Sequence, residues 1–96
     1  MTGYVYMLAS QKQGTIYTGV TGSLAYRIPQ HKERKGTGFT ARYGATRLVW
    51  YEEYFDIRDA IDREKQLKKW RRAWKIALIE KDNPEWNELF RGLGWD

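Results

Sequence analysis

GYVYMLASQKQGTIYTGV, residues 3–20, sets how the chain begins to fold. Residues 3–10 and 14–20 are rich in β-branched and aromatic side chains, the composition of strands. Residues 11–13, ahead of Gly14, suit a hairpin turn between them. An antiparallel pair therefore opens the chain. Along the second run, Tyr17 and Gly19 point to one face, and Ile16, Thr18 and Val20 to the other.

Outward from the hairpin, Ser23 is an N-cap candidate for a helix over residues 24–35. Leu24, Arg27, Ile28 and His31 share a face of that helix, and Pro29 predicts a kink or a late start. Residues 36–46 have three glycines and small polar side chains, and read as a loop. Residues 47–55 are a third strand. Asp56 caps the next helix, with Asp59 as a short capping partner. In that helix Ile57, Ala60, Ile61 and Leu67 form an apolar stripe, and the position that completes the stripe is an acid, Glu64.

A second stripe follows: Leu67, Trp70, Trp74, Ala77 and Leu78. Its centre is turned by roughly 90° from the first, which predicts a bend or break between Leu67 and Arg72. Asn83-Pro84 ends the helix, and residues 86–90 read as a last short helical turn. The order β-β-α-β-α-α is that of an α+β domain with a small antiparallel sheet.

At 96 residues the expectation is one domain, residues 1–96, with a modest core. Aromatics at 16% are enough to fill it. No run is apolar enough to span a membrane, and no charged-then-apolar leader opens the chain. The absence of cysteine rules out disulfides and thiolate metal sites, and fits a cytoplasmic protein. A net charge of +5 points to a polyanion, usually nucleic acid. Up to Tyr51 there are seven Lys/Arg against the single acid Glu33. Residues 65–75 add six cations and no acid, and the tail from Asp82 is acidic. Taken alone, the basic run is as readily a solvated helix face.

Several side chains carry chemistry. Glu64 on an apolar face is most often an acid that snorkels to water or pairs with a nearby arginine; its functional reading is a rigidly held ligand for a divalent ion. Arg27 is either a surface ion-pair partner or a bidentate phosphate clamp. His31 is either a hydrogen-bonded histidine at the core's edge or a proton-transfer group. Tyr6 and Tyr17 on facing strands are more often sheet packing than catalysis, although Gly19 leaves open space beside Tyr17. No His/Cys cluster, Walker loop or Ser/His/Asp set is present.

The order of these residues is more specific than any one of them. YVY at 4–6, YTG at 17–19, Arg27 and His31 on one helix, Glu64 on a later one and then Asn83 resemble the GIY-YIG nuclease superfamily. The likeness covers nearly the whole chain and is greatest to the small stand-alone bacterial members. RIPQHK, FTARY, EKQLKKWRR, KIALIE and NPEW extend it beyond the core motif. The resemblance implies a three-stranded antiparallel sheet flanked by helices, and a single-metal phosphodiesterase.

The resemblance assigns roles residue by residue. Glu64 would bind Mg²⁺ or Mn²⁺. Arg27 would offset charge on the phosphoryl oxygens. Tyr17 would position and deprotonate the attacking water, and Tyr6 would support phosphate or water by hydrogen bonding. His31 is the rival general base, with Gly19, Lys32, Arg42, Lys68 and Asn83 on the substrate side. Three departures stand out: Tyr4-Val5 replaces Gly-Ile and Thr18 replaces the second Ile; Val20 stands where some relatives have lysine; and Pro29 follows Arg27 closely enough to turn it.

The expected partner is DNA, bound by a basic rim of Lys32, Arg34, Lys35, Arg42 and residues 65–75 and cut by structure rather than sequence, in repair or recombination. No small-molecule cofactor is expected. A noncatalytic nucleic-acid-binding module is the alternative. A third reading is a protein-interaction domain presenting Trp86 and Trp95 as an apolar surface.

Overall fold

The computed structural model describes residues 1–32 and 44–92. Three strands and four helices lie within them: β1 (Gly3–Ala9), β2 (Ile16–Thr21), α1 (Leu24–Lys32), β3 (Arg47–Tyr54), α2 (Ile57–Lys68), α3 (Arg72–Asp82) and α4 (Leu89–Gly92). The sheet has the order β2-β1-β3, with both pairings antiparallel. The expected α+β architecture is thus present, with the first strand made at its centre.

Being central explains the sequence of β1. It is covered on both faces, so it reads as an almost continuous apolar run. Val5, Met7 and Ala9 pack with Ala60, Leu67, Ile79 and Trp86 on one side. Tyr6 and Leu8 pack with Leu24, Ile28, Leu48 and Phe90 on the other. Met7 faces Trp50 while Leu8 faces Leu48, so Val49 is an extra residue, a bulge in β3.

Asn83 receives that bulge. Its side-chain amide donates to the Val49 carbonyl at 3.0 Å and to the Asn87 carbonyl at 3.0 Å, and its Oδ1 accepts from the Asn87 amide at 2.9 Å. The turn it organises holds Trp86 in the left-handed region (φ 58°). A tryptophan adopts that backbone at a cost, which its complete burial offsets. The Trp86 indole N–H donates to Glu80 at 2.7 Å. Trp86 therefore belongs to the core and cannot form the expected apolar surface; Trp95 lies outside the described residues. For the same reason residues 86–88 are not helical, and the last turn begins at Leu89.

The break after α2 falls where the two stripes predict it: α2 ends at Lys68, and Arg71 is extended (ψ 149°). The second stripe itself is not the buried one. In α3 Ile79 is buried and Ile76 half-buried, while Trp74 and Ala77 are exposed. The break resets the helical phase, so a stripe counted through it picks the wrong face. Arg71 makes no side-chain capping bond, and α3 has no acid in its first turn.

Ser23 caps α1 as expected, with Oγ accepting from the Tyr26 amide at 3.2 Å. Pro29 does not end the helix, which continues to Lys32. The carbonyl that loses its partner is that of Ala25, an exposed residue. Asp56 caps α2 through the Arg58 amide at 2.9 Å.

Candidate active site

The site is built on the α1 side of the β1–β2 hairpin. Register opposes Tyr6 to Gly19, and the Tyr6 ring lies across that glycine. A Cβ at Gly19 would sit 2.6 Å from Tyr6 Cζ and Oη and 2.9 Å from Tyr17 Cε2. The space beside Tyr17 is thus filled by Tyr6, not left open for a ligand. Gly19 lets two aromatic side chains close over the backbone.

α1 brings His31 onto the pair. The three rings form a triangle, with centroids 6.3 Å apart for Tyr6–Tyr17, 5.7 Å for Tyr6–His31 and 5.5 Å for Tyr17–His31. Tyr6 Oη and His31 Nε2 are 2.9 Å apart in the interior. Burial, and then the charge of Arg27, push the imidazole pKa down to about 4. His31 is therefore neutral at pH 7. The Arg27 charge also bears on the Tyr6 phenol, which shares a hydrogen bond with His31 Nε2. Burial, and then Tyr17, raise the Tyr6 pKa to about 12, against the opposing pull of Arg27. Tyr6 stays protonated and, at 1% exposed, has no surface for substrate.

Glu64 approaches from α2, which packs on β1 and β2. It stands four residues after Ala60 and three before Leu67, both fully buried, and its side chain is only 14% exposed. It pairs with Lys68 at 3.0 Å, one turn on. The Glu64 charge is felt at the Tyr6 hydroxyl, as is that of Arg27. Arg27 also donates to Gln30 at 2.9 Å. The charges of Arg27 and Glu64 thus bear on the same phenol from two helices. Tyr17, Arg27 and Glu64 are all half-buried, so each retains some surface.

The expected substrate contacts fare differently. Lys32 donates to the Thr46 carbonyl at 3.0 Å and forms an ion pair with Glu88, so it is tied into the α4 side. Asn83 has both amide donors and its oxygen committed to the β3 bulge and the following turn. Lys68 is exposed beside Glu64. Arg42, Arg34, Lys35 and the FTARY stretch lie outside the described residues. Sequence reasoning did not foresee Glu88, which joins Lys32 to the Leu48 and Phe90 amides. An acid alone in a polar turn carries no periodic signal.

Among the described residues no helix is long and apolar enough to cross a membrane. Residues 2–77 match the GIY-YIG catalytic domain. A UPF0213 protein of Clostridium perfringens is 38% identical over 76 residues, covering 79% of this chain and 81% of its own. One from Syntrophus aciditrophicus is 37% identical, covering 85% and 93%. The solution NMR structure of the UPF0213 protein BH0048 from Bacillus halodurans is 30% identical, covers 95% of this chain and 96% of its own, and has a TM-score of 0.58. With the domain match spanning most of the sequence and the same fold in a solved relative, the chain belongs to the GIY-YIG family, a family of nuclease type whose substrate is nucleic acid.

Proposed function

We propose that the protein is a metal-dependent DNA endonuclease that hydrolyses phosphodiester bonds. The observation that supports this is the packed triangle of Tyr6, Tyr17 and His31, with the charges of Arg27 and Glu64, on separate helices, both bearing on the buried Tyr6 phenol. A guanidinium and a carboxylate held rigidly beside a tyrosine pair meet the needs of phosphoryl transfer, which rests on positioning and charge.

Mg²⁺ or Mn²⁺ suits these residues. Glu64 is a hard oxygen donor with little exposure, and its lysine partner is a long, exposed side chain that can be displaced. No group of three or more His, Cys, Asp or Glu converges among the described residues, so water and substrate phosphate would complete the shell. When bound, the ion would polarise the scissile phosphate and stabilise the leaving oxygen. Arg27 pairs with the non-bridging oxygens. Tyr17 orients the attacking water and, as a phenolate whose own proton has passed to solvent, takes up the water's proton. His31 is neutral and its Nε2 is engaged by Tyr6, so it acts through Tyr6 and not on the water. Tyr6 is then a positioning residue that bonds His31 and packs on Tyr17.

The substrate is branched, flapped or single-stranded DNA, in repair or recombination. The test incubates labelled duplex, flap and four-way-junction DNA with Mg²⁺ or Mn²⁺, beside Glu64→Ala. Cleavage by wild type and a loss of at least ~10²-fold in the variant are expected. Equal cleavage by both would remove Glu64 from the reaction. Tyr17→Phe should slow cleavage more than His31→Ala at neutral pH; the reverse order would make His31 the base.

A second reading, a noncatalytic nucleic-acid-binding module, is favoured by the Glu64–Lys68 pair, which already satisfies the carboxylate. Such a module would bind DNA equally in EDTA and release no product.

A further inference from the structure

The elbow joining α2 to α3 carries aromatic surface that neither the core nor the site uses. Trp74 is 52% exposed. Its ring stands edge-on to Trp70, with centroids 6.1 Å apart and planes at 87°. Arg71 lies over Trp74 at 5.5 Å, and Arg63 over Trp70 at 5.2 Å. Arg63 is itself fixed by Glu52 at 3.2 Å and Gln66 at 2.7 Å. The exposed indole is thus braced, not loose.

The same elbow concentrates positive charge. Lys65, Lys68, Lys69, Arg71 and Arg72 are exposed, Lys75 is half-buried, and no acid occurs in residues 65–75. The Lys75 amine is held below its usual range by burial first, and then by the charges of Lys68 and Arg72. Crowded cations of this kind are relieved by a polyanion. A protein partner would have to offer acids and an aromatic-binding surface together. A nucleic-acid strand offers both, through phosphates and flat bases. A duplex hides its base faces, so only unpaired nucleotides can stack on an exposed indole.

We propose that the elbow between α2 and α3 binds unpaired nucleotides, with Trp74 stacking on a base and Lys65, Lys69 and Arg71 holding the phosphates beside it. Lys68 links this surface to the candidate active site. It bonds Glu64 and lies about 6 Å along the helix from it, one turn. A strand leaving the site along the end of α2 meets the tryptophan next. The proposal deepens the nuclease reading and rests on it for the choice of partner.

The test measures binding of a fluorescein-labelled oligothymidylate and of a duplex of equal length, in EDTA, for wild type, Trp74→Ala and Trp74→Phe. Trp74 is exposed and alanine favours helix, so the variants should fold, which circular dichroism checks. Trp74→Ala should weaken oligothymidylate binding by about tenfold or more and leave duplex binding within about twofold, with Trp74→Phe recovering most of the loss. Unchanged oligothymidylate binding would overturn the proposal, and so would an equal loss for both DNAs. The nuclease reading is judged separately, by cleavage in Mg²⁺ with and without Glu64→Ala. Binding that depends on Trp74 without any cleavage would sink only that reading. Cleavage that depends on Glu64, with binding indifferent to Trp74, would sink only the elbow.

Discussion

The two faces of β1 are built on different principles. One receives Val5, Met7 and Ala9 and closes over them with aliphatic side chains and Trp86. The other receives Tyr6 and sets its hydroxyl against a histidine, an arginine and a glycine backbone. The first face tolerates changes of shape at the expense of stability. The second depends on single atoms, because a misplaced buried polar group loses its partner as well as its contacts. One strand thus supplies both a scaffold and a site, and substitutions on either side should separate stability from activity.

The sharpest challenge to this contrast is Trp86→Ala. Removing the indole should cost about 3–5 kcal/mol and move the urea midpoint far down. A loss below about 1 kcal/mol would mean that the apolar face does not depend on it. Gly19→Ala tests the other face. The new methyl must displace Tyr6 or Tyr17, costing about 1–3 kcal/mol. Activity should fall further than stability accounts for, and full cleavage by a folded Gly19→Ala protein would count against the packed triangle.

Between pH 7 and pH 5, acid should act on the polar face. An imidazole whose pKa drops from 6.5 to about 4 on folding binds fewer protons than the unfolded chain between those values. Its contribution is complete above pH 6.5 and drains away as pH falls towards 4. Between pH 7 and pH 5 the loss should be about 2 kcal/mol, read by urea unfolding. His31→Gln should lose that slope; an unchanged slope would show that other groups carry it. Tyr6→Phe keeps the ring and removes the hydrogen bond to His31, for about 1 kcal/mol, with a larger effect on cleavage. Lys68→Ala should be smallest, at about 0.5 kcal/mol or less, since the amine is half exposed.

The strands, the break after α2 and the burial of Glu64 were legible because each leaves a local pattern: β-branched runs, a shift of helical phase, an acid in an apolar stripe. The tryptophans show where such reading stops. Trp74 sits in a helical stripe and is exposed, whereas Trp86 sits in a polar turn and is buried. Periodicity holds only within one element, and Trp86 is delivered by a left-handed backbone and by Asn83 reaching a bulge 34 residues away. The site was half legible in the same sense. The order of Tyr6, Tyr17, Arg27, His31 and Glu64 suggested a constellation; the three rings pack together, and the charges of Arg27 and Glu64 bear on the Tyr6 phenol. Lys32 and Asn83 carried suitable chemistry, but their partners, Glu88 and the Val49 carbonyl, come from distant segments that no spacing reveals.

The position of β1 has a consequence for synthesis. Of the three strands the central one is made before the other two, yet it cannot pair on its second edge until residues 47–54 have been made. Its apolar face waits longer still, for Ile79 and Trp86. Until β3 is made, GYVYMLA is an uncharged strand with an open edge, of the kind that self-associates. Lys12 and the cations that follow keep neighbouring nascent chains apart, so the charge that suits a nucleic-acid partner also protects the chain before it has a fold.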